Sequence, residues 1–155
     1  MQTRRDLLSH SAKVAALLAA SGMLPTVAQA QTGAHNTAAF DAKTLADVMK
    51  ALGSAAPVAS KDVTVTAPDI AENGAVVPVG AATALPGVKR LLILVEKNPA
   101  VLTAMFEPSE AVEANFSTRV KMGQSSNVIA VALMNDGKVW FAQKEVKVTL
   151  GGCGG

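Results

Sequence analysis

The side chain in this sequence best suited to covalent chemistry is its single cysteine, Cys153, which stands between Gly151 and Gly152 on one side and Gly154 and Gly155 on the other. A thiolate is the reactive form of cysteine, and an unpaired thiol is either buried and inert or exposed and there for a reason. Glycine has no Cβ and loses the most entropy on ordering, so four of them around one residue predict an arm that swings instead of packing. Extended at about 3.3 to 3.6 Å per residue, that arm spans up to about 17 Å from Leu150. It is also thin enough to thread a thiol into a narrow site that a folded body cannot enter. Lys147 is six residues back and a terminal carboxylate lies two residues on, a setting that disfavours the thiolate. Near neutrality only a few per cent of an ordinary thiol is ionised. The arm is therefore expected not to catalyse by itself, but to react inside a partner that supplies positive charge or a metal.

Other chemistry-bearing residues are more scattered. The two histidines, His10 and His35, fall near the N-terminus, and no His/Cys/Asp/Glu cluster with metal-ligand spacing occurs. No resident metal or cofactor is expected. Trp140 and Phe141 read as packing residues, and Lys144, Glu145 and Lys147 as a solvated strand face. Cys153 is third from the end, which excludes a prenylation box, and no cysteine lies near a mature N-terminus to anchor a lipid.

Residues 1–30 have the three parts of an export signal. Thr3-Arg4-Arg5-Asp6-Leu7-Leu8 resembles a twin-arginine motif, with leucine where phenylalanine is usual. The apolar run Val14 to Ala20 is too short for a bilayer span, which takes about 20 residues. Ala28-Gln29-Ala30 then offers a cleavage site before Gln31. The expected location is the periplasm, reached by the twin-arginine route. Of 14 basic and 12 acidic residues the signal holds three and one, so 11 of each remain and the mature chain is about neutral. With no basic excess and few aromatics, neither nucleic acid nor a membrane surface is an expected partner. One cysteine cannot close an internal bridge, so the core must stand on packing alone.

The 155 residues suit one compact domain. Residues 31–37 are small and polar and read as a disordered leader; residues 38–150 are the folded domain, and residues 151–155 the arm. Leu45, Val48, Met49 and Leu52 fall on one face of a short helix, with Asp41 near its start and Gly53 as its stop, expected to cap one end of the domain. Strand patterns follow at Val63–Thr66 and at Val76–Val79, where Pro78 argues for an edge or a bulge. Leu91 to Val95 is apolar on both faces and predicts a buried central strand, with Val101 to Phe106 as its neighbour. Phe116 to Met122 alternates with a period of two. Val128 to Met134, the turn Asn135-Asp136-Gly137 and Val139 to Phe141 read as a hairpin, and Val146, Val148 and Leu150 continue the alternation. Six or seven short strands with one flanking helix predict a mainly β fold, an antiparallel immunoglobulin-like β-sandwich.

The block Phe116-Ser-Thr-Arg-Val-Lys-Met-Gly123, then Ser126-Asn127-Val128, and the ending Lys144-Glu-Val-Lys-Val-Thr-Leu-Gly-Gly-Cys-Gly-Gly155 resemble the SoxY family of thiosulfate-oxidation proteins. The terminal pentapeptide is the most specific element. The resemblance implies a non-catalytic carrier whose Cys153 holds sulfur intermediates. In it, a c-type cytochrome joins thiosulfate oxidatively to the cysteine, a metal-dependent hydrolase releases sulfate, and a sulfane dehydrogenase, where present, oxidises the sulfur left behind. It also implies a heterodimer with a SoxZ-like subunit lacking its own signal, which suits an export route that moves folded proteins.

Two other readings come from different classes. A cytosolic ubiquitin-like carrier would use Gly154-Gly155 as a thiocarboxylate, but its activation needs ATP, which export removes. An exported interaction module would dimerise through a Cys153 disulfide, and replacing the cysteine would abolish its association.

Overall fold

The structure is a computed structural model and describes residues 36–149. The export signal and the arm, with Cys153 and its four glycines, lie outside the described residues. Among the described residues two short helices come first, α1 at Thr37–Asp41 and α2 at Leu45–Ala51. Nine strands follow. They are β1 (Val58–Ala59), β2 (Val63–Thr66), β3 (Ile70–Ala71), β4 (Val77–Thr83) and β5 (Val88–Val95). Then come β6 (Leu102–Phe106), β7 (Asn115–Val120), β8 (Ser126–Met134) and β9 (Val139–Val148). They build two sheets: a larger one in the order β1-β9-β8-β5-β6, with β3 also paired to β9, and a smaller one in the order β2-β4-β7.

The local signals account for these elements. Thr44 caps α2 by accepting the Asp47 amide at 3.1 Å. Gly53 closes it at φ +62°, its amide bonded to Lys50 O at 3.1 Å and that of Ser54 to Met49 O at 2.9 Å. This double closure needs a left-handed residue after the helix, which glycine adopts without strain. Gly137, at φ +86°, turns β8 into β9, as the Asn-Asp-Gly signal predicts.

The central strands β5 and β8 are buried on both faces. Leu91, Ile93 and Val95 point to the small sheet, where they meet Val63, Val77, Val79 and Val120. Leu92 and Leu94 point the other way, against Val48 and Met49 of α2, with Ile129 and Val131 beside them. The order of layers is therefore helices, large sheet, small sheet. An all-apolar run such as Leu91 to Val95 is what a strand covered on both faces requires.

Three expectations change. The helical segment is two helices, not one, and Asp41 ends the first instead of opening the second. The pair lies against the face of the large sheet and does not cap an end, because Val48 and Met49 can only be buried where Leu92 and Leu94 leave apolar surface uncovered. Asn36 and Thr37, taken as the last leader residues, already belong to the fold: Asn36 accepts the Ala39 amide at 3.2 Å and donates to Ala51 O at 2.8 Å. Pro78 meets the edge expectation in part. It lies inside β4, the middle strand of the small sheet, but residues 77 to 79 pair only with β7 because β2 stops opposite Gly80.

Candidate functional site

The described chain ends at Thr149, four residues before Cys153. The last residues of β9 are thus the root of the predicted arm. Pairing with β8 runs from Val139 to Val146, which lies opposite Ser126. On the other edge of β9, β3 runs parallel, with Ile70 beside Lys147 and Ala71 beside Val148. The Lys147 amide donates to Asp69 O at 3.0 Å and the Thr149 amide to Ala71 O at 3.1 Å. The Thr149 hydroxyl adds a bond to Glu72 O at 3.2 Å. On the β8 side, the Val148 amide donates to the Ser125 hydroxyl at 2.9 Å.

The loops around this root are fastened to one another. Met122 N donates to Gly74 O at 2.7 Å, joining the β7–β8 and β3–β4 connections. Asn98 in the β5–β6 connection donates to Lys121 O at 2.7 Å. Ser126 is 3% exposed, and its oxygen accepts the Lys97 amide at 3.0 Å while its hydroxyl donates to Asn127 O. Asn127 in turn donates to Glu96 at 2.9 Å. Ser126 and Asn127 therefore build the collar around the arm root.

Lys144 corrects the expectation of a fully solvated strand face. Its ammonium donates to Ala67 O at 2.6 Å and meets the Asp69 carboxylate at 3.0 Å, tying β9 to the segment between β2 and β3. Glu145 and Lys147 are exposed as expected. Trp140 packs against the core between the sheets and Phe141 against the helix layer, as packing residues do.

The open grooves among the described residues include two of different size and place. The larger, about 1030 Å³, lies between the β4–β5 and β6–β7 connections and reaches Asn135. It sits at the start of β9, and nine steps at about 3.3 Å separate Val139 from Val148 by roughly 30 Å. The groove therefore lies at the far end of β9 from Thr149, the last described residue. The smaller, about 800 Å³, lies on the outer face of the small sheet and includes Thr66, Pro68, Pro78, Gly80, Ser117 and Arg119. Its floor at Gly80 is bare backbone, where a Cβ would come within 3.3 Å of Phe116 O. Among the described residues no group of His, Cys, Asp and Glu could hold a metal ion, and no helix is long and apolar enough to cross a membrane.

The arm-root residues Ser125 and Thr149 and the clip Lys144 were not singled out from sequence for these roles. Nothing in a serine one residue before a strand says that its hydroxyl will meet a backbone amide 23 positions later.

Comparison with known proteins places this geometry. No curated protein matches the chain. The chain of a solved structure, the sulfur carrier protein SoxY from Chlorobium limicola f thiosulfatophilum, is 34% identical, with a TM-score of 0.60 over 66% of this chain and 93% of that one. A superoxide reductase (neelaredoxin) from Ignicoccus hospitalis shares the fold alone, at 18% identity and TM-score 0.50 over 56% of this chain and 78% of its own. So does a putative superoxide reductase from Thermotoga maritima, at 14% identity and TM-score 0.50 over 59% and 93%. The immunoglobulin-like sandwich is thus shared with proteins of other activities, and fold by itself decides nothing about chemistry. The family description "Sulfur oxidation protein SoxY" matches residues 48–153, more than half the chain and ending on its only cysteine: the chain belongs to the SoxY family.

Proposed function

We propose that this protein is a periplasmic sulfur carrier that holds thiosulfate-derived sulfur on Cys153 and presents it to partner enzymes, without catalysing the steps itself. The observation that carries this reading is the family match that runs through the β-sandwich and ends on Cys153. In the proposed cycle, the Cys153 sulfur and the terminal sulfur of thiosulfate form a bond, the thiol proton is released, and two electrons pass to a c-type cytochrome. A metal-dependent hydrolase then adds water across the sulfur–sulfonate bond, releasing sulfate and leaving a persulfide on Cys153. Where a sulfane dehydrogenase is present, it oxidises the outer sulfur to a sulfonate with oxygen from three waters, passing six electrons to a cytochrome, and a second hydrolysis releases sulfate and frees the thiol.

A short glycine arm suits each visit, because it carries no side chain but the thiol into a confined site. The reading includes a SoxZ-like partner and export by the twin-arginine route. The test is intact-protein mass spectrometry on periplasmic protein from cells given thiosulfate, with Cys153→Ser as control. Sulfur or thiosulfonate adducts that reductant removes, absent from the control, are the expected result. A bare thiol, or only a disulfide dimer, would replace the carrier with the interaction module.

A further inference from the structure

The ladder between β8 and β9 has one rung more than its backbone supplies. Ser126 lies opposite Val146, so in the same register Ser125 would fall opposite Lys147 and Gln124 opposite Val148, the next pair whose amides face each other. However, β8 begins at Ser126, and residues 123 to 125 are a bend. The Val148 amide has no strand carbonyl to meet on that side, and the half-buried Ser125 hydroxyl takes it instead, at 2.9 Å. On the opposite edge the carbonyls of Asp69, Ala71 and Glu72, in and beside β3, hold Lys147 and Thr149 through three further bonds. β3 has only two residues, Ile70 and Ala71, so a strand end held by it alone would be weakly held. With Ser125 in place, the amides of residues 147, 148 and 149 are all engaged, from alternate sides.

We infer that Ser125 is a positioning residue for the carrier arm: by gripping Val148 it makes Thr149 the fixed pivot, and so sets both the free length of the arm and the direction in which it leaves. This rests on the carrier reading. From Thr149, four residues at about 3.3 to 3.6 Å put Cys153 at most roughly 14 Å away. If the strand end frays back to Lys147, six residues extend that limit to roughly 21 Å. The volume that the thiol sweeps grows as the cube of its reach, so its concentration near any one partner site falls roughly threefold. A fixed pivot thus keeps the thiol concentrated where a docked enzyme meets the collar.

Ser125→Ala, Ser125→Thr and the double variant Ser125→Ala/Thr149→Val test this in the full mature chain. The readouts are amide hydrogen exchange, the distance distribution between Trp140, the sole tryptophan, and an energy-transfer acceptor attached to Cys153, and early adduct formation after thiosulfate is given to cells. Ser125→Ala is expected to speed Val148 exchange about tenfold with Val131 unchanged, to broaden the distance distribution, and to slow adduct formation about threefold. The double variant is expected to go further on all three, and Ser125→Thr, which keeps the hydroxyl, to restore native behaviour. Native Val148 exchange in Ser125→Ala, or adducts formed there as fast as in the native chain, would overturn the inference and leave the carrier reading intact. Faster Val148 exchange with no adduct even on the native chain would overturn the carrier reading, and the positioning role with it.

Discussion

The ammonium of Lys144 lies 3.0 Å from the carboxylate of Asp69 and 2.6 Å from the carbonyl of Ala67, so one side chain of β9 holds the segment that leads into β3. The two contacts differ in weight. Asp69 is 88% exposed, and an ion pair with such a partner contributes little. The bond to Ala67 O is sheltered and satisfies a backbone carbonyl.

Asp69→Asn should therefore cost less than about 0.5 kcal/mol, and Lys144→Met, which keeps the apolar stem but loses both contacts, about 1 kcal/mol. Urea unfolding midpoints of the two variants check the order. Equal losses would mean that the ion pair carries the clip.

Leu92 and Ile93 are adjacent and both fully buried, yet face different layers. Each change to alanine should cost about 2 to 5 kcal/mol through lost burial and the cavity left behind. Only Leu92→Ala should also speed amide exchange in α2, since only Leu92 supports the helices. Faster α2 exchange in Ile93→Ala alone would contradict the order of layers.

Asp136 accepts the Lys138 amide at 3.0 Å and faces its ammonium at 2.9 Å. The Lys138 side-chain bond, first, and the backbone bond, second, hold the Asp136 carboxyl below the usual carboxylate range. The folded value lies below the unfolded one, so any stability from this turn is present above the unfolded value and lost as pH falls through the folded one. Carbon-detected NMR titration should show the Asp136 midpoint rise in Lys138→Met.

Gly53 has nothing within 4 Å of where a Cβ would stand, so its substitution costs backbone strain alone at φ +62°. Gly53→Ala should destabilise by about 1 kcal/mol, and Gly53→Asn by less, because asparagine tolerates the left-handed region. Thermal unfolding of the pair distinguishes strain from crowding, which would penalise the larger asparagine more.

Much of this protein was legible locally. The alternation in Phe116 to Met122, the double-faced run at Leu91 to Val95, the Asn-Asp-Gly turn and the glycine stop of α2 each depend on residues within a turn or a strand of one another, and each is found where its pattern puts it. The two-residue strands β1 and β3 had no such pattern. They exist only because β9 presents an unpaired edge on which Val58, Ala59, Ile70 and Ala71 complete backbone bonds. The same holds for the placement of the helices, since amphipathic spacing names the face that must be buried but not the surface that buries it.

The sequence by itself determined the family: one thiol, set among glycines after an alternating strand, in a pattern specific enough to name it. Tertiary structure alone decided where that strand is held. Ser125 and Val148 are 23 positions apart, as are Asn98 and Lys121, and Lys144 is 77 positions from Ala67. A hydroxyl, an amide or an ammonium is the same group in any sequence, and only closure of the two sheets brings each within bonding distance of the backbone group it satisfies.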